Sequence, residues 1–148
     1  MNPTILNFAY PDSLIKQYNH WVVLLRPKQT TLGSLVLAYI SDVENLSDIS
    51  KDGFLEFGNI VKDIEQVLKN IFQYDKINYL TLMMVDKNVH MHVIPRYVNS
   101  RSYQNKQYID KGWPGVPDLS FNNEIKHKDY IEMRDALAIS FKELKNCN

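Results

Sequence analysis

The sequence predicts an α+β domain built on an antiparallel sheet. Three observations carry this reading: apolar runs of strand length occur before residue 50 and again around residue 86, a long segment with helical periodicity lies between them, and a second helical segment closes the chain. Strands, helix, hairpin, loop and helix in that order suit an α+β domain rather than a regular alternation of strands and helices.

Residues 1–19 are mixed; Pro3 and Pro11-Asp12 interrupt them, and Ile5 to Tyr10 reads as a short strand. His20-Trp21-Val22-Val23-Leu24-Leu25 reads as a buried strand, ended by Arg26-Pro27-Lys28 because proline cannot donate to a ladder. Leu32 to Ile40 is apolar and fits either a strand or a helical turn. From Lys51 to Phe72, Phe54, Phe57, Val61, Ile64, Leu68 and Ile71 step by alternating threes and fours, which is one face of a helix. Ser50 and Asp52 supply start signals for it. Tyr79 to Val85 reads as a central strand in which Met83 and Met84 fill the core, Asp86-Lys87-Asn88 as a tight turn, and Val89 to Tyr97 as the partner strand. Ser100 to Phe121 has no periodicity and reads as a functional loop or lid. The last helix runs from Glu124 to about Lys145, capped by Asn122 or Asn123, with Tyr130, Met133, Leu137, Phe141 and Leu144 on its apolar face.

At 148 residues the chain has the length of one domain, spanning 1–148, since domains run to about 100–200 residues. An apolar fraction of 45% with 23% charged residues suits a packed core. Seventeen basic side chains balance 17 acidic ones, so no charge excess supports a dedicated nucleic-acid binder, whereas a small anion needs only local donors. The longest early apolar run, Trp21 to Leu25, is far short of the ~20 residues that span a bilayer. No secretory signal opens the sequence, and the lone Cys147 allows neither an internal disulfide nor a cysteine zinc site, which together suit a reducing, cytoplasmic setting.

The chemistry concentrates in Asn88-Val89-His90-Met91-His92-Val93-Ile94-Pro95-Arg96. On a strand Asn88, His90, His92 and Ile94 share one face, and the apolar Val89, Met91 and Val93 the other. Two imidazoles about 7 Å apart, from a rise of about 3.3 Å per residue, then address one small group. Such a pair has three readings. It is inert; or it holds a metal, with His20, Asp86 or His127 as third ligand; or it performs nucleophilic catalysis at phosphorus, where a neutral imidazole attacks and its neighbour steadies the oxygens.

Residues 88–96 resemble the signature of the histidine triad (HIT) superfamily, in which three histidines alternate with apolar residues, often followed by Pro-Arg. His20 to Lys28 is similar to the family's upstream strand, so the resemblance covers about residues 18 to 98. It implies a HIT-like antiparallel sheet of about five strands with two helices. It also implies hydrolysis of a nucleotide conjugate, either a nucleoside phosphoramidate or a dinucleoside polyphosphate, through a nucleotidyl-histidine. His90 then takes the nucleophile's place, His92 contacts phosphate oxygens, and Asn88 stands where the family has its first histidine. An amide there hydrogen-bonds but carries no proton charge. The polar loop that precedes the triad in many members is here the short Leu82-Met83-Met84-Val85-Asp86-Lys87. Those two departures suggest the alternative of a nucleotide-binding module with little or no turnover.

Further candidates for contacts to substrate are His20, Lys87, Arg96 and Trp113. Each also has a plain structural reading: a buried hydrogen bond, a solvated turn, an ion pair and a loop anchor, respectively. No cofactor or metal is required by these residues, although a divalent metal can accompany a polyphosphate substrate. The expected partner is the small nucleotide, with no nucleic acid and no membrane, and homodimers are common in the superfamily.

Overall fold

The computed structural model describes residues 1–144. Helix α1 (Pro3–Asn7) precedes strands β1 (Leu14–Gln17), β2 (Trp21–Leu25) and β3 (Leu35–Tyr39). A single 3-10 turn (Leu46–Asp48) leads into helix α2 (Lys51–Phe72). Strands β4 (Lys76–Leu80) and β5 (His90–Arg96) follow, then the short β6 (Arg101–Tyr103) and β7 (Lys106–Tyr108), and helix α3 (His127–Leu144). β1 to β5 form one antiparallel sheet in the order β1-β2-β3-β5-β4, the five strands expected.

Period-2 alternation sorts the sheet's side chains into two cores. Trp21, Val23, Leu25, Leu35, Leu37 and Val93 pack against Ile60, Ile64 and Leu68 of α2 and Met133, Leu137 and Phe141 of α3. The opposite face carries Val22, Leu24, Val36 and Ala38, covered by Ile5 of α1 and by Phe8 and Tyr10. Every residue of β2 and β3 is therefore buried, one side or the other. The ambiguous Leu32 to Ile40 segment resolves as β3 behind a turn at Gly33. That glycine has φ +80°, and a Cβ on it would lie 2.6 Å from the Phe72 ring, so backbone freedom and close approach both require glycine.

Several expectations are corrected. Ile5 to Tyr10 is not a strand: the Asn2 side chain accepts a hydrogen bond from Ile5 N at 3.0 Å, and Pro3 sits at the first turn, where its missing N–H costs nothing. With α1 there are three α-helices instead of two. The strand expected at Tyr79 to Val85 lies earlier, at Lys76–Leu80, because Leu80 already pairs with His92 and the chain then leaves the ladder. Residues 81–89 form an open loop rather than a tight turn, with Met84 and Val85 exposed and Met83 packed at the edge of the core. The segment from Ser100 to Phe121 is not wholly irregular. It contains the β6-β7 hairpin, whose two turn residues Gln104 and Asn105 both take positive φ. Helix α3 starts at His127, and neither asparagine caps it: the Asn122 side chain accepts from Gln29 N, and Asn123 bonds to Gln29, Thr30 and Ile109.

On α2 the buried stripe runs through Ile60, Ile64, Val67, Leu68 and Phe72, with Phe57, Val61 and Ile71 half-buried and Phe54 exposed. Trp21 sets this rotation, packing on Phe57 and donating its indole N–H to Gly53 O at 2.8 Å. Ser50 caps the helix as its sequence position predicts, accepting from Gly53 N at 2.9 Å. The α3 apolar face is as expected through Phe141, with Leu144 partly buried; Lys145 and Cys147 lie outside the described residues. None of the described helices is long and apolar enough to cross a membrane.

Candidate functional site

Strand β5 presents His90 and His92 on the sheet face turned away from α2 and α3. His90 stands beside Ala38, and His92 beside Val36. The two rings lie 5.1 Å apart, nearly perpendicular. Phe8, just past the end of α1, packs against both, at 5.5 Å from His90 and 5.7 Å from His92. The imidazoles open into a cavity of about 180 Å³ whose other walls are Leu82, Met83, Met84, Val85 and Asp86. Pockets that enclose a drug-sized ligand hold roughly 300–1,000 Å³. At about 180 Å³ this cavity is smaller than that range, so a ligand of that size would extend beyond it.

Hydrogen bonds define what each imidazole offers. His90 Nδ1 lies 2.7 Å from the backbone carbonyl of Asn88. A carbonyl only accepts, so Nδ1 carries the proton, and the neutral ring keeps its lone pair on Nε2. His92 is the opposite case. Its Nδ1 accepts from Arg26 Nε at 3.3 Å, so its proton sits on Nε2. One ring thus offers a lone pair on Nε2, and its neighbour an N–H. Burial, then the positive charge of Arg26, then His90 push the His92 pKa down to about 4 from an ordinary 6.5. Its neutral form therefore dominates at pH 7.

A depressed native pKa means that the folded protein takes up this proton less readily than the unfolded chain does. The stability His92 contributes is present above its ordinary pKa and is lost as pH falls through about 4. An imidazole titration by NMR is expected to place His92 well below 6. A midpoint near 6.5 contradicts the burial and charge just described.

The first position of the motif acts through its backbone. The Asn88 side chain is turned away from the cavity. Its Oδ1 accepts from Thr4 N at 3.3 Å and Thr4 Oγ1 at 3.0 Å, and its Nδ2 donates to Asp42 at 2.6 Å. The amide fastens α1 to the segment after β3, while the carbonyl orients His90. Asn88→Ala is expected to cost about 1–3 kcal/mol, because buried donors of Thr4 lose their acceptor. Chemical denaturation measures that loss, and the His90 Nδ1 proton, held by the carbonyl, is expected to remain.

The remaining candidates do not converge on the imidazoles. His20 sits just before β2, its ring parallel to Tyr39 at 6.4 Å and its backbone N–H donating to Glu56. Lys87 is exposed and lines a neighbouring depression with Thr4, Asp42, Glu44 and Asp86. Arg96 is buried and fully engaged, donating twice to Asp110, at 2.7 and 3.1 Å, and also to Asn78 and Gly115 O. Trp113 lies over that guanidinium at 6.0 Å, as a loop anchor. Arg96 and Trp113 thus make the ion pair and the loop-anchoring contact that were their structural alternatives. Among the described residues no three His, Cys, Asp or Glu side chains gather as a metal-binding group.

Two residues that sequence reasoning missed belong to the site. Phe8 carried no signal, since its position depends on how α1 folds back across the sheet. Arg26 did carry one: it continues the alternation of Val22 and Leu24 onto the face that holds His92.

No family model matches the chain, and no curated protein matches it. Solved structures do. A histidine triad protein from Marinobacter aquaeolei VT8 superposes with a TM-score of 0.73 at 17% identity, over 94% of this chain and 95% of that one. A histidine triad protein from Sinorhizobium meliloti 1021 gives 0.72 at 15%, over 95% of each chain. A diadenosine triphosphate hydrolase from Plasmodium falciparum gives 0.62 at 11%, over 92% of this chain and 78% of that one. The chain has the fold that these histidine triad proteins share.

Proposed function

From a chain with the histidine triad fold, and with two imidazoles held in complementary tautomers, we propose a hydrolase of nucleotide conjugates that works through a nucleotidyl-His90 intermediate. The observation that carries this reading is the 2.7 Å bond from His90 Nδ1 to Asn88 O, which leaves Nε2 as a lone-pair nitrogen at the cavity. Nε2 attacks the phosphorus of a nucleoside phosphoramidate or dinucleoside polyphosphate. The bond from phosphorus to the leaving nitrogen or oxygen breaks, and the leaving group departs with its electron pair. Water then attacks the same phosphorus and gives up a proton to solvent; the N–P bond breaks with its electron pair returning to Nε2, and nucleoside monophosphate leaves with His90 restored.

His92 donates Nε2–H to a phosphoryl oxygen in both steps and steadies the charge that develops there. It does not supply the proton an amine leaving group needs. A ring already neutral has no acidic proton to give near pH 7, so that proton comes from solvent. The residues' own chemistry requires no metal; a divalent cation would accompany a polyphosphate substrate. The likeness to a diadenosine triphosphate hydrolase favours including a polyphosphate among the substrates tried.

A second reading is a nucleotide-binding module with little turnover. The observation favouring it is the loop wall: Leu82, Met83, Met84 and Val85 bring no side-chain hydroxyl or amide donors to the cavity. Incubating the pure protein with an adenosine phosphoramidate and a diadenosine polyphosphate separates the two. Release of nucleoside monophosphate is expected. Tight binding of the monophosphate with no release from either substrate supports the module.

A further inference from the structure

Arg26 is 8% exposed, yet it makes no salt bridge to any described carboxylate; the described ion pairs involve Arg96, Arg101 and Arg134. A buried cation without a counter-ion is costly, and it persists where a ligand or a job offsets the cost. Its surroundings hold it rigidly. Nη1 donates to Lys28 O at 2.9 Å and to Thr30 Oγ1 at 2.8 Å. The backbone of the same residue is pinned by Ser34 O and by the Gln29 amide, which also bonds to Gly33 N and Ser34 O. The 26–34 turn is thus a frame that aims one N–H, Nε, at His92 Nδ1.

We infer that Arg26 is a positioning residue of this site, holding His92 in the tautomer whose proton is on Nε2, so that His92 meets an anionic ligand as a hydrogen-bond donor. A guanidinium has donors only. Were the His92 proton on Nδ1, two N–H groups would face each other, and Nε2 would turn a lone pair towards phosphoryl oxygens that also carry lone pairs. The charged and titratable groups acting on His92 are Arg26, His90 and Asp86. Of these, Arg26 is the one hydrogen-bonded to the ring. The consequence for turnover rests on the proposed hydrolase; the tautomer itself does not.

Geometry supplies a clean pair of variants. In Arg26→Gln the side-chain amide nitrogen stands as many bonds from the backbone as Arg Nε, so the donor is kept without the charge. In Arg26→Lys a methylene stands there, so the charge is kept without the donor. Long-range ¹H–¹⁵N correlation spectra of the labelled full chain at pH 7 read the protonated nitrogen directly. Wild type and Arg26→Gln are expected to show His92 protonated at Nε2, and Arg26→Lys to lose that preference. With an adenosine phosphoramidate, Arg26→Lys is expected to lower kcat by about 10–100-fold, the scale on which the hydrogen-bond partners that orient metal-bound histidines act, and Arg26→Gln to restore most of it. A wild-type His92 protonated at Nδ1 overturns the inference, as does a folded Arg26→Lys variant with the tautomer unmoved. If Arg26→Lys does not fold, Arg26→Met, which removes the donor at similar length, replaces it in the same spectra, and an unmoved tautomer there overturns the inference. A correct tautomer pattern in a protein that hydrolyses neither substrate supports the role of Arg26 and counts against the hydrolase alone.

Discussion

His90→Ala is expected to lower release of nucleoside monophosphate by about 10⁴-fold or more, the scale on which loss of a covalent nucleophile acts. His92, the other imidazole at the cavity, has its Nδ1 lone pair committed to Arg26. The His90 imidazole is 2% exposed and packs on Phe8, so truncation also removes buried contacts. A melting curve and a far-UV spectrum on the same sample therefore accompany the assay, and His90→Gln, closer in size, serves as the second variant. A folded variant that retains a rate within about tenfold of wild type is inconsistent with chemistry at this residue.

Asp110→Asn is expected to be the most destabilising single change outside the apolar cores. The Arg96–Asp110 pair is closed at 2.7 Å with side-chain exposures of 4% and 1%. Removing one partner leaves a buried charge uncompensated, a loss of about 3–5 kcal/mol. At about 2–4 °C per kcal/mol for a chain of this size, the midpoint of thermal unfolding falls by roughly 6–20 °C. The change also frees the segment that Arg96 anchors through Gly115 O, and it weakens the bond from Tyr97 N to Asp110. Urea titration of both proteins measures the loss. A difference below about 1 kcal/mol places the pair in the weak class of surface ion pairs. Combining Arg96→Met with Asp110→Leu is expected to recover part of the deficit, because no lone charge then remains buried.

What the sequence discloses follows from the range of the forces involved. Periodicity is local, so the alternation through His90 and His92 and the repeat in α3 predict which faces are buried. The same rule misleads at Leu82 to Val85. Four apolar residues look like strand, but ladder pairing ends at Leu80, and they become the wall of a cavity. Near the start, Pro3 reads as a breaker until Asn2 is recognised as a cap, and then the two together start a helix. The motif's first position illustrates a longer-range limit. Asn88 is visible as a departure, but its contacts are with Thr4 and Asp42, 84 and 46 residues away, so its side-chain role emerges only from the fold. Its carbonyl, which every residue type possesses, does the work on His90. Arg26 lies between these cases: strand parity assigns its face, while the partner 66 residues on, His92, has to be seen.

The central claim is a bond between phosphorus and one ring nitrogen, and trapping that bond tests it most directly. Wild-type protein mixed with an adenosine phosphoramidate is quenched within the first turnover under alkaline conditions, where an N–P bond to imidazole survives. It is then digested and weighed by mass spectrometry. One adenylyl group is expected on the peptide that contains residues 88–96, localised to His90 and absent from His90→Ala. Turnover with no adduct on that peptide at any quench time, or with the adduct on another residue, contradicts it.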